Sequence, residues 1–193
     1  MPNSKQVELM TEFQDISIGH FENYADQWAA GQISLKDYEM LFKQELKDNY
    51  IATVWTARGS TNVGQRDYGL AGRRLRDQYQ FAHGFFKDIE AGKLSLNEIK
   101  ARSALYARSS RQVLEQVGND QPGLPRLPHY PADGSTPCKT NDKCTVDVEA
   151  VENGFDVFWR LHPAEHCPTC VSRKNGSPLR VRFGVVENAG AWG

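Results

Sequence analysis

The chain has 193 residues, which is long enough for one or two domains with a real hydrophobic core. Apolar residues make up 39% and charged residues 24% of the sequence, as in ordinary globular proteins, and the formal net charge is −1. A net charge this close to zero indicates no general electrostatic attraction to nucleic acid or membranes. The sequence also contains no apolar stretch of about 18 residues, the length that spanning a bilayer requires. The first residues are mixed and polar, so the sequence predicts a cytosolic product without a secretion signal.

Helices are predicted for the first 117 residues, because apolar side chains recur there at close to 3.6 residues. Gly19 is a weak spot in the first helix, and the third helix could be broken at Gly69 and Gly72. Together the segments predict an N-terminal four-helix bundle over residues 1–117. The predicted helices span residues 4–30, 34–57, 65–91 and 95–117.

The helical region repeats a corner sequence at an offset of 61 residues. Residues 30–37 read Ala-Gly-Gln-Ile-Ser-Leu-Lys-Asp, and residues 91–98 read Ala-Gly-Lys-Leu-Ser-Leu-Asn-Glu. A glycine just after a helix, followed by a serine three residues before an acidic residue, ends one helix and caps the next. The pattern predicts two related helical hairpins, although shared capping chemistry without a structural repeat would look the same.

The two predicted hairpins carry opposite charge. Residues 1–57 contain nine acidic and four basic side chains, for a net charge of −5, whereas residues 58–117 contain six acidic and eleven basic ones, for +5. The two hairpins could pair within a subunit or between neighbours, a basic face could contact nucleic acid, and a solvated surface is the plain alternative. The basic excess includes Arg66, Arg73, Arg74, Arg76, Arg102, Arg108 and Arg111. The candidate nucleic-acid or partner face consists of Arg66, Arg73, Arg74 and Arg76.

Residues 118–137 contain five prolines, which excludes a helix and an interior strand and predicts a semi-stiff linker. Its apolar side chains Leu124, Leu127 and Tyr130 could lie along the bundle. After the linker, a small Cys-rich β module is predicted over residues 138–193. Two alternating segments around a Glu-Asn-Gly turn predict a β-hairpin, a third strand could follow, and Trp192 could anchor an irregular tail. The predicted strands span residues 145–151, 155–161 and 179–186.

All four cysteines lie close to this hairpin, at Cys138, Cys144, Cys167 and Cys170. The second pair is a CxxC turn, which can present two thiolates to one ion, whereas five residues separate the first pair. Two cysteine turns separated by a hairpin predict a four-thiolate zinc site, and a reducing compartment favours metal over disulfides. Disulfides and free thiols are the alternatives. One cysteine could also be replaced as a ligand by His129, His162 or His166.

The sequence gives no sign of an enzyme, because it has no phosphate loop, dinucleotide fingerprint or HExxH motif. The run 162–170 compresses parts of the zinc-deaminase motif into nine residues, and no proline precedes Cys167. A redox CxxC opens a helix in a βαβ setting, which is not visible here. His166 and Cys167 are sequence neighbours, which rarely have the geometry of a catalytic pair.

Several segments together resemble one family. Residues 127–138 read LPHYPADGSTPC, Asn141, Cys144 and Trp159 follow, and residues 164–170 read AEHCPTC. With these segments and its Gly-x-Ile/Leu-Ser corners, the chain resembles the minor head proteins, or head morphogenesis proteins, of tailed phages. The spacing from Cys138 to Cys144 departs from the family pattern, which is tighter and richer in cysteine. The resemblance implies a non-catalytic virion protein that is present in a few copies at the portal or inside the capsid.

The predicted fold class is mainly α with a small β part (α+β): a four-helix bundle, a proline-rich linker and a zinc-ribbon-like β clasp. The resemblance implies a function in head assembly, the portal or major capsid protein as partner, and location in the virion and, during assembly, in the host cytoplasm. A homo-oligomer and a DNA contact are compatible with the charges, and no membrane contact is expected. The alternative function is a nucleic-acid-binding zinc-ribbon module that uses the arginine face.

Overall fold

The structure, a computed structural model, describes residues 2–139, 142–163 and 165–193. The N-terminal part consists of the helices α1 (Ser4–Ala29), α2 (Leu35–Arg58), α3 (Gln65–Glu90), α4 (Leu96–Arg108) and α5 (Arg111–Gly118). The C-terminal part contains β1 (Thr145–Val151), β2 (Gly154–Arg160), α6 (Pro168–Asn175), β3 (Leu179–Arg182), β4 (Val185–Val186) and a 3-10 helix (Ala189–Trp192). The predicted class, mainly α with a small β part, is confirmed. None of the helices in the described ranges combines the length and apolarity that crossing a bilayer requires.

An aromatic cluster forms the centre of the helical bundle. Phe42 of α2 stacks on Phe21 of α1 with ring centroids 4.2 Å apart. It also meets Phe86 of α3 and Tyr106 of α4 edge-on, at 5.4 Å and 5.2 Å. All four side chains are buried, and such aromatic pairs contribute about 0.5–1.5 kcal/mol each beyond the burial of their area. Rings from α1, α3 and α4 therefore all pack against Phe42.

The two predicted corners have the same backbone geometry. Gly31 follows α1 with a φ of +71°, and Gly92 follows α3 with a φ of +66°. Ser34 and Ser95 then cap α2 and α4, each in a capping box with the acidic residue three positions later. The left-handed conformation costs glycine little, so both hairpins turn at the same place in the repeat. The repetition is structural at the corners, although α4 packs mainly on α1.

The predicted single helix over residues 95–117 is wrong, because α4 and α5 are separate helices that meet at Ser109 and Ser110. The Ser109 hydroxyl donates to the Tyr106 carbonyl at 2.6 Å, and the Ser110 hydroxyl donates to the Ala107 carbonyl at 3.0 Å. Serine hydroxyls compete with backbone N–H groups for helical carbonyls, which weakens the helix at that point. The helix is therefore interrupted at this serine pair.

Glycines inside the long helices do not break them. Helix α1 continues through Gly19, and α3 continues through Gly69 and Gly72, the positions at which the sequence allowed a break. A glycine in a helix interior costs about 0.8–1.0 kcal/mol relative to alanine. Burial of the apolar face of each helix offsets this cost.

The proline-rich segment packs with the β module. Leu124, Leu127 and Tyr130 are 6%, 1% and 7% exposed, and they belong to the same core as the sheet residues. These side chains therefore pack into the core of the β module, and Leu124 and Tyr130 also border a groove along α3 and α5. A polar contact also ties the segment to α3, because the Arg74 guanidinium donates to the Asp133 carbonyl at 3.1 Å.

The strands form an antiparallel sheet in the order β1-β2-β3-β4. In the predicted hairpin, Val151 of β1 pairs with Gly154 of β2 next to the turn. The predicted third strand over residues 179–186 is instead a second hairpin, β3 and β4, joined by Phe183 and Gly184. Both joining residues have positive φ, 49° and 75°, as in a type I′ turn, whose twist matches that of the flanking strands.

Two tryptophans form the core of the β module. Trp159 of β2 and Trp192 of the 3-10 helix are almost fully buried, and their rings meet edge to face with centroids 5.3 Å apart. The tail lies so close to the end of α6 that a Cβ on Gly176 would be 2.1 Å from the Ala191 carbonyl oxygen. Trp192 therefore anchors the tail as expected, and the tail itself forms a 3-10 helix.

Candidate metal centre

The four cysteines come from three segments that meet beside the sheet. Cys138 follows the proline-rich segment, Cys144 directly precedes β1, and Cys167 and Cys170 lie at the start of α6. Cys144 and Cys170 are 3% and 1% exposed, whereas Cys138 and Cys167 are half-buried. None of these four described cysteines is joined to another by a disulfide bond.

Helix α6, which was not predicted from the sequence, carries the CxxC segment at its start. Cys167 is its N-cap residue, with extended backbone angles of φ −71° and ψ 153°, and Pro168 occupies the first helical turn. Proline is favoured there because its missing N–H would have no helical partner and its φ is already fixed. Arg173 and Lys174 lie in the last turn, where positive charge complements the helix dipole. These were the signals in the sequence that could have located the helix.

The densest group of potential metal ligands is Asp142, Cys144 and Cys170. One carboxylate oxygen and the two sulfur atoms all lie within 4.8 Å of one another, and all three residues are buried. The Cys170 sulfur is 3.5 Å from Asp142 Oδ2. Carboxylate oxygen and thiolate sulfur are both ligands that zinc accepts. The structure therefore gathers a buried donor set that could hold a metal ion, next to the other two cysteines.

Hydrogen bonds fix the Asp142 carboxylate beside the sulfur atoms. Its Oδ1 accepts from the Cys144 backbone N–H at 3.0 Å, and its Oδ2 accepts from the Thr136 hydroxyl at 3.1 Å. Asp142 was not predicted as a ligand from the sequence. Its signal, an acidic residue two positions before Cys144, is weak because most loop carboxylates are simply solvated.

The remaining two cysteines adjoin this cluster. Burial raises the pKa of Cys138, and the neighbouring Cys167 thiol raises it further. Burial also opposes ionisation of Cys167, but the Cys170 backbone N–H and the thiols of Cys170 and Cys138 outweigh it and lower the pKa of Cys167. Cys170 in turn contacts Cys144. The four thiols thus form a continuous series of neighbours.

Without a metal ion, the surroundings of Cys144 and Cys170 favour the protonated thiol over the thiolate. Burial raises the pKa of Cys170 strongly, and the Cys167 thiol and the Asp142 charge add to the rise. Burial and then Asp142 raise the pKa of Cys144. Thiolates beside a buried carboxylate would collect like charges at low dielectric. A divalent cation reverses this balance because it replaces the protons and neutralises the ligands, so the donors fit a metal.

The histidines considered as substitute ligands lie at the edge of the site. Within the described residues, the donor cluster contains no histidine. The His162 side chain is exposed, and only its backbone N–H faces the Cys144 sulfur. His166 is half-buried, and the His129 ring lies 3.4 Å from the Asp133 carboxylate.

Arg173 holds α6 in place. It is 2% exposed, and its guanidinium lies 4.9 Å from the centroid of the Trp159 ring. It donates to the Trp192 carbonyl at 3.1 Å and to the Ser135 hydroxyl at 2.9 Å. One buried cation thus joins α6 to β2, to the tail and to the proline-rich segment. These contacts set the position of the CxxC turn relative to Asp142.

The arginines of the predicted charged face lie on α3. Arg66, Arg73, Arg74 and Arg76 all line one groove, which is bounded by α3, α5 and the proline-rich segment. Of the other predicted basic residues, Arg102 pairs with Asp88, and Arg111 pairs with Glu115. Arg108 is exposed beside a second cavity.

The strongest chemical feature of the C-terminal part is the buried cluster of Asp142, Cys144 and Cys170. Asn141 and Ala164, which carry part of the resemblance to minor head proteins, lie outside the described residues. In comparisons with protein-family models, curated proteins and solved structures, the chain has no significant match.

Proposed function

We propose that the chain is a structural protein of tailed-phage head assembly, without catalytic activity, whose β module is held together by one zinc ion. The observation that supports the metal most strongly is the buried group of Asp142, Cys144 and Cys170. Magnesium and calcium prefer ligand sets made only of oxygen, whereas zinc accepts thiolate and carboxylate together in a tetrahedral site. The mixed donor set therefore favours zinc.

Cys167 completes the proposed ligand set. The CxxC spacing lets Cys167 and Cys170 face one ion. Cys167 is also the cysteine whose pKa is lowered, so its thiol loses a proton more readily than the other three. Asp142 then takes the position that the sequence analysis gave to Cys138, which stays beside Cys167. Four protein ligands close the coordination sphere, and closed zinc sites are structural.

The proposed ion stabilises the module by joining its segments. The ligands come from the loop before β1 and from the start of α6, which are 23 or more residues apart in the chain. Structural zinc binding supplies about 10–16 kcal/mol in small zinc-finger peptides at neutral pH. A small sheet with one tryptophan pair at its core has much to gain from such a contribution.

The proposed role in the virion rests on the resemblance carried by residues 127–138 and by the paired cysteines. The portal and the major capsid protein are the proposed partners. The module would act in the virion and, during assembly, in the host cytoplasm. The chain also offers an apolar surface for such a partner on α1 and α2, where large side chains are 36–47% exposed. These side chains are Leu9, Phe13, Ile16 and Trp55.

The opposite charges of the two hairpins are a second proposed contribution to assembly. Among the described residues, ion pairs join the hairpins between Lys100 of α4 and Asp26 of α1 at 2.7 Å, and between Arg58 at the end of α2 and Asp67 of α3 at 2.6 Å. Some of the other charges are paired within a hairpin, such as Arg102 with Asp88, and the exposed charges outside such pairs are available for a neighbouring copy or another partner. Exposed ion pairs contribute only about 0–1 kcal/mol each, so the apolar surface must supply most of the affinity.

Metal analysis of variants tests the proposed ligand set. We expect one zinc per chain in the wild type, and loss of zinc in Asp142→Ala and Cys170→Ser. Cys138→Ser is the matched control, since it removes a neighbouring thiol that is not a proposed ligand. Zinc retained in Asp142→Ala but lost in Cys138→Ser would contradict this set and support four thiolates.

Co-sedimentation with the portal protein of the same phage tests the proposed role. Phe13→Ser combined with Trp55→Ser should weaken the complex, because both changes remove apolar contact area. Phe81→Ser is the control, because Phe81 is 61% exposed but lies on α3. Failure of the wild type to bind either the portal or the major capsid protein would contradict the role in head assembly.

A further inference from the structure

Five arginines line one groove between the helical bundle and the proline-rich segment. It has a volume of about 580 Å³ and is bounded by α3, α5 and the proline-rich segment. The acidic side chains among its lining residues are Asp77 and Asp120, so the lining is net positive by three charges. The arginines are Arg66, Arg73, Arg74, Arg76 and Arg126.

Most of this positive charge is uncompensated. Arg66 is paired with Asp120 at 2.6 Å, whereas Arg74 is 3.8 Å from its nearest carboxylate. The buried Nε of Arg74 has no acceptor in the part of the chain that the structure describes. Within the same described ranges, Arg73, Arg76 and Arg126 form no ion pair. At least three guanidinium groups therefore face the groove without a counter-charge.

We propose that this groove binds the phosphate groups of a polyanion. The basic residues that line it are all arginines, and the planar guanidinium fork matches phosphate oxygens in a bidentate geometry that lysine cannot provide. From Arg66 to Arg76 the helix rises about 15 Å, which is longer than a single phosphate. The ligand therefore carries several phosphates, as a nucleic-acid strand or a polyphosphate does. This site is independent of the zinc ligands and of the role in the virion.

The groove suits phosphates better than an acidic protein segment. Protein partners bind mainly through aromatic and apolar anchors, which need exposed apolar surface to contact. Leu124 and Tyr130 line the groove but are only 6% and 7% exposed, and Gln112 and Gln116 of α5 add polar lining. A phosphate backbone needs no apolar anchor, because its binding is driven by charge and counterion release.

Fluorescence anisotropy tests the proposal with labelled oligonucleotides of about 16 nucleotides, a length within the range of known single-strand sites. Single-stranded and double-stranded probes are titrated with the full chain across a salt series. Pyrophosphate and ATP serve as competitors that carry phosphates without a strand. Polyglutamate serves as a polyanion without phosphate.

Arg73→Gln combined with Arg76→Gln is the decisive variant, because both side chains are exposed and form no ion pair in the described chain, so the fold should persist. We expect binding to weaken by about tenfold or more. On duplex DNA, the slope of log affinity against log salt should become shallower by about 0.9 for each phosphate that the variant no longer neutralises. Arg108→Gln combined with Arg180→Gln is the matched control, since it removes the same charge from exposed positions outside the groove.

The competitors identify the source of the phosphates. Displacement by pyrophosphate or ATP at moderate concentration would support a site for small phosphates, and displacement only by oligonucleotides would support a strand. The proposal is wrong if no phosphate probe binds, or if the control variant loses as much affinity as the groove variant. It is also wrong if polyglutamate competes as well as the phosphate ligands do, because the site would then fit an acidic protein.

Discussion

Glu115 of α5 is the residue at which the helical part meets the sheet. Its carboxylate is fully buried, lies 3.1 Å from the Arg111 guanidinium and accepts the Val146 backbone N–H of β1 at 3.3 Å. The Asn119 amide donates to the Glu115 carbonyl at 2.9 Å. Burial raises the pKa of Glu115, and Arg111 and the Val146 N–H oppose the rise without cancelling it. A buried carboxylate with these partners orients the first strand on the bundle.

Glu115→Gln should remove a loss of stability that the wild type shows as the pH rises. Because the folded-state pKa of Glu115 is raised above 4.5, its contribution is complete at low pH and is lost as the pH rises through the folded value. Glutamine does not titrate. The free energy of unfolding of the wild type minus that of the variant should therefore fall as the pH rises from about 4.

Urea unfolding across a pH series measures this difference. Glu12→Gln is the control, because Glu12 is exposed and its replacement should leave the shape of the pH profile unchanged. If the free energy of unfolding of the wild type minus that of Glu115→Gln rises with pH, then Arg111 and Val146 outweigh burial, contrary to this account.

The Asp142 carboxylate shows why a site is harder to predict than its cysteines. Cys167 and Cys170 can be predicted as ligands from their spacing alone, because the two thiolates of a CxxC turn can bind one ion. Asp142 becomes a candidate only when the fold buries it at 3% exposure and hydrogen-bonds it to Thr136. The burial of Asp142 depends on segments that are distant in the chain, so it cannot be predicted from the neighbouring residues.

The connections from α1 to α2 and from α3 to α4 each turn at a glycine, and the two glycines have the same backbone conformation. Gly31 and Gly92 both need positive φ, which costs a residue with a Cβ about 1–2 kcal/mol. Gly19 has helical geometry in the middle of α1, and no atom lies within 4 Å of the Cβ that alanine would add. The same substitution should therefore have opposite effects at the corners and in the helix.

Gly31→Ala and Gly92→Ala should each lower the free energy of unfolding by about 1–2 kcal/mol, whereas Gly19→Ala should raise it by about 0.5–1 kcal/mol. Thermal and denaturant unfolding measure all three. Equal destabilisation by Gly31→Ala and Gly92→Ala would support the repeat of the corners. Destabilisation by Gly19→Ala would show that α1 is kinked at that glycine, as the sequence suggested.

Periodicity located the long helices but not the short elements. The apolar repeat of α1, α2 and α3 extends over six or more turns, so single glycines do not obscure it. The break at Ser109 and Ser110 depends on hydroxyl contacts, which sequence patterns do not distinguish from exposed serines. Helix α6 has only eight residues, too few for an apolar repeat to stand out, and it is held in part by Arg173 packing on Trp159.

The whole molecule has two separate hydrophobic cores. One lies among the helices α1 to α5 around Phe42, and the other lies between the sheet, the proline-rich segment and the tail around Trp159. The contacts that join the parts include the Glu115 carboxylate with β1 and the Arg74 guanidinium with Asp133. The proposed zinc ligands Cys144 and Cys170 belong to the second core. Removal of the metal should therefore loosen the β module and leave the bundle folded.

Hydrogen exchange measured by mass spectrometry, with and without a zinc chelator, tests this account most directly. After metal analysis has confirmed removal of the ion, peptides from β1 to the C-terminus should lose protection while peptides from α1, α2 and α3 keep theirs, because only the second core contains the ligands. Unchanged protection of the β module in the metal-free protein would contradict a zinc-stabilised module, and equal loss in the bundle would contradict two separate cores.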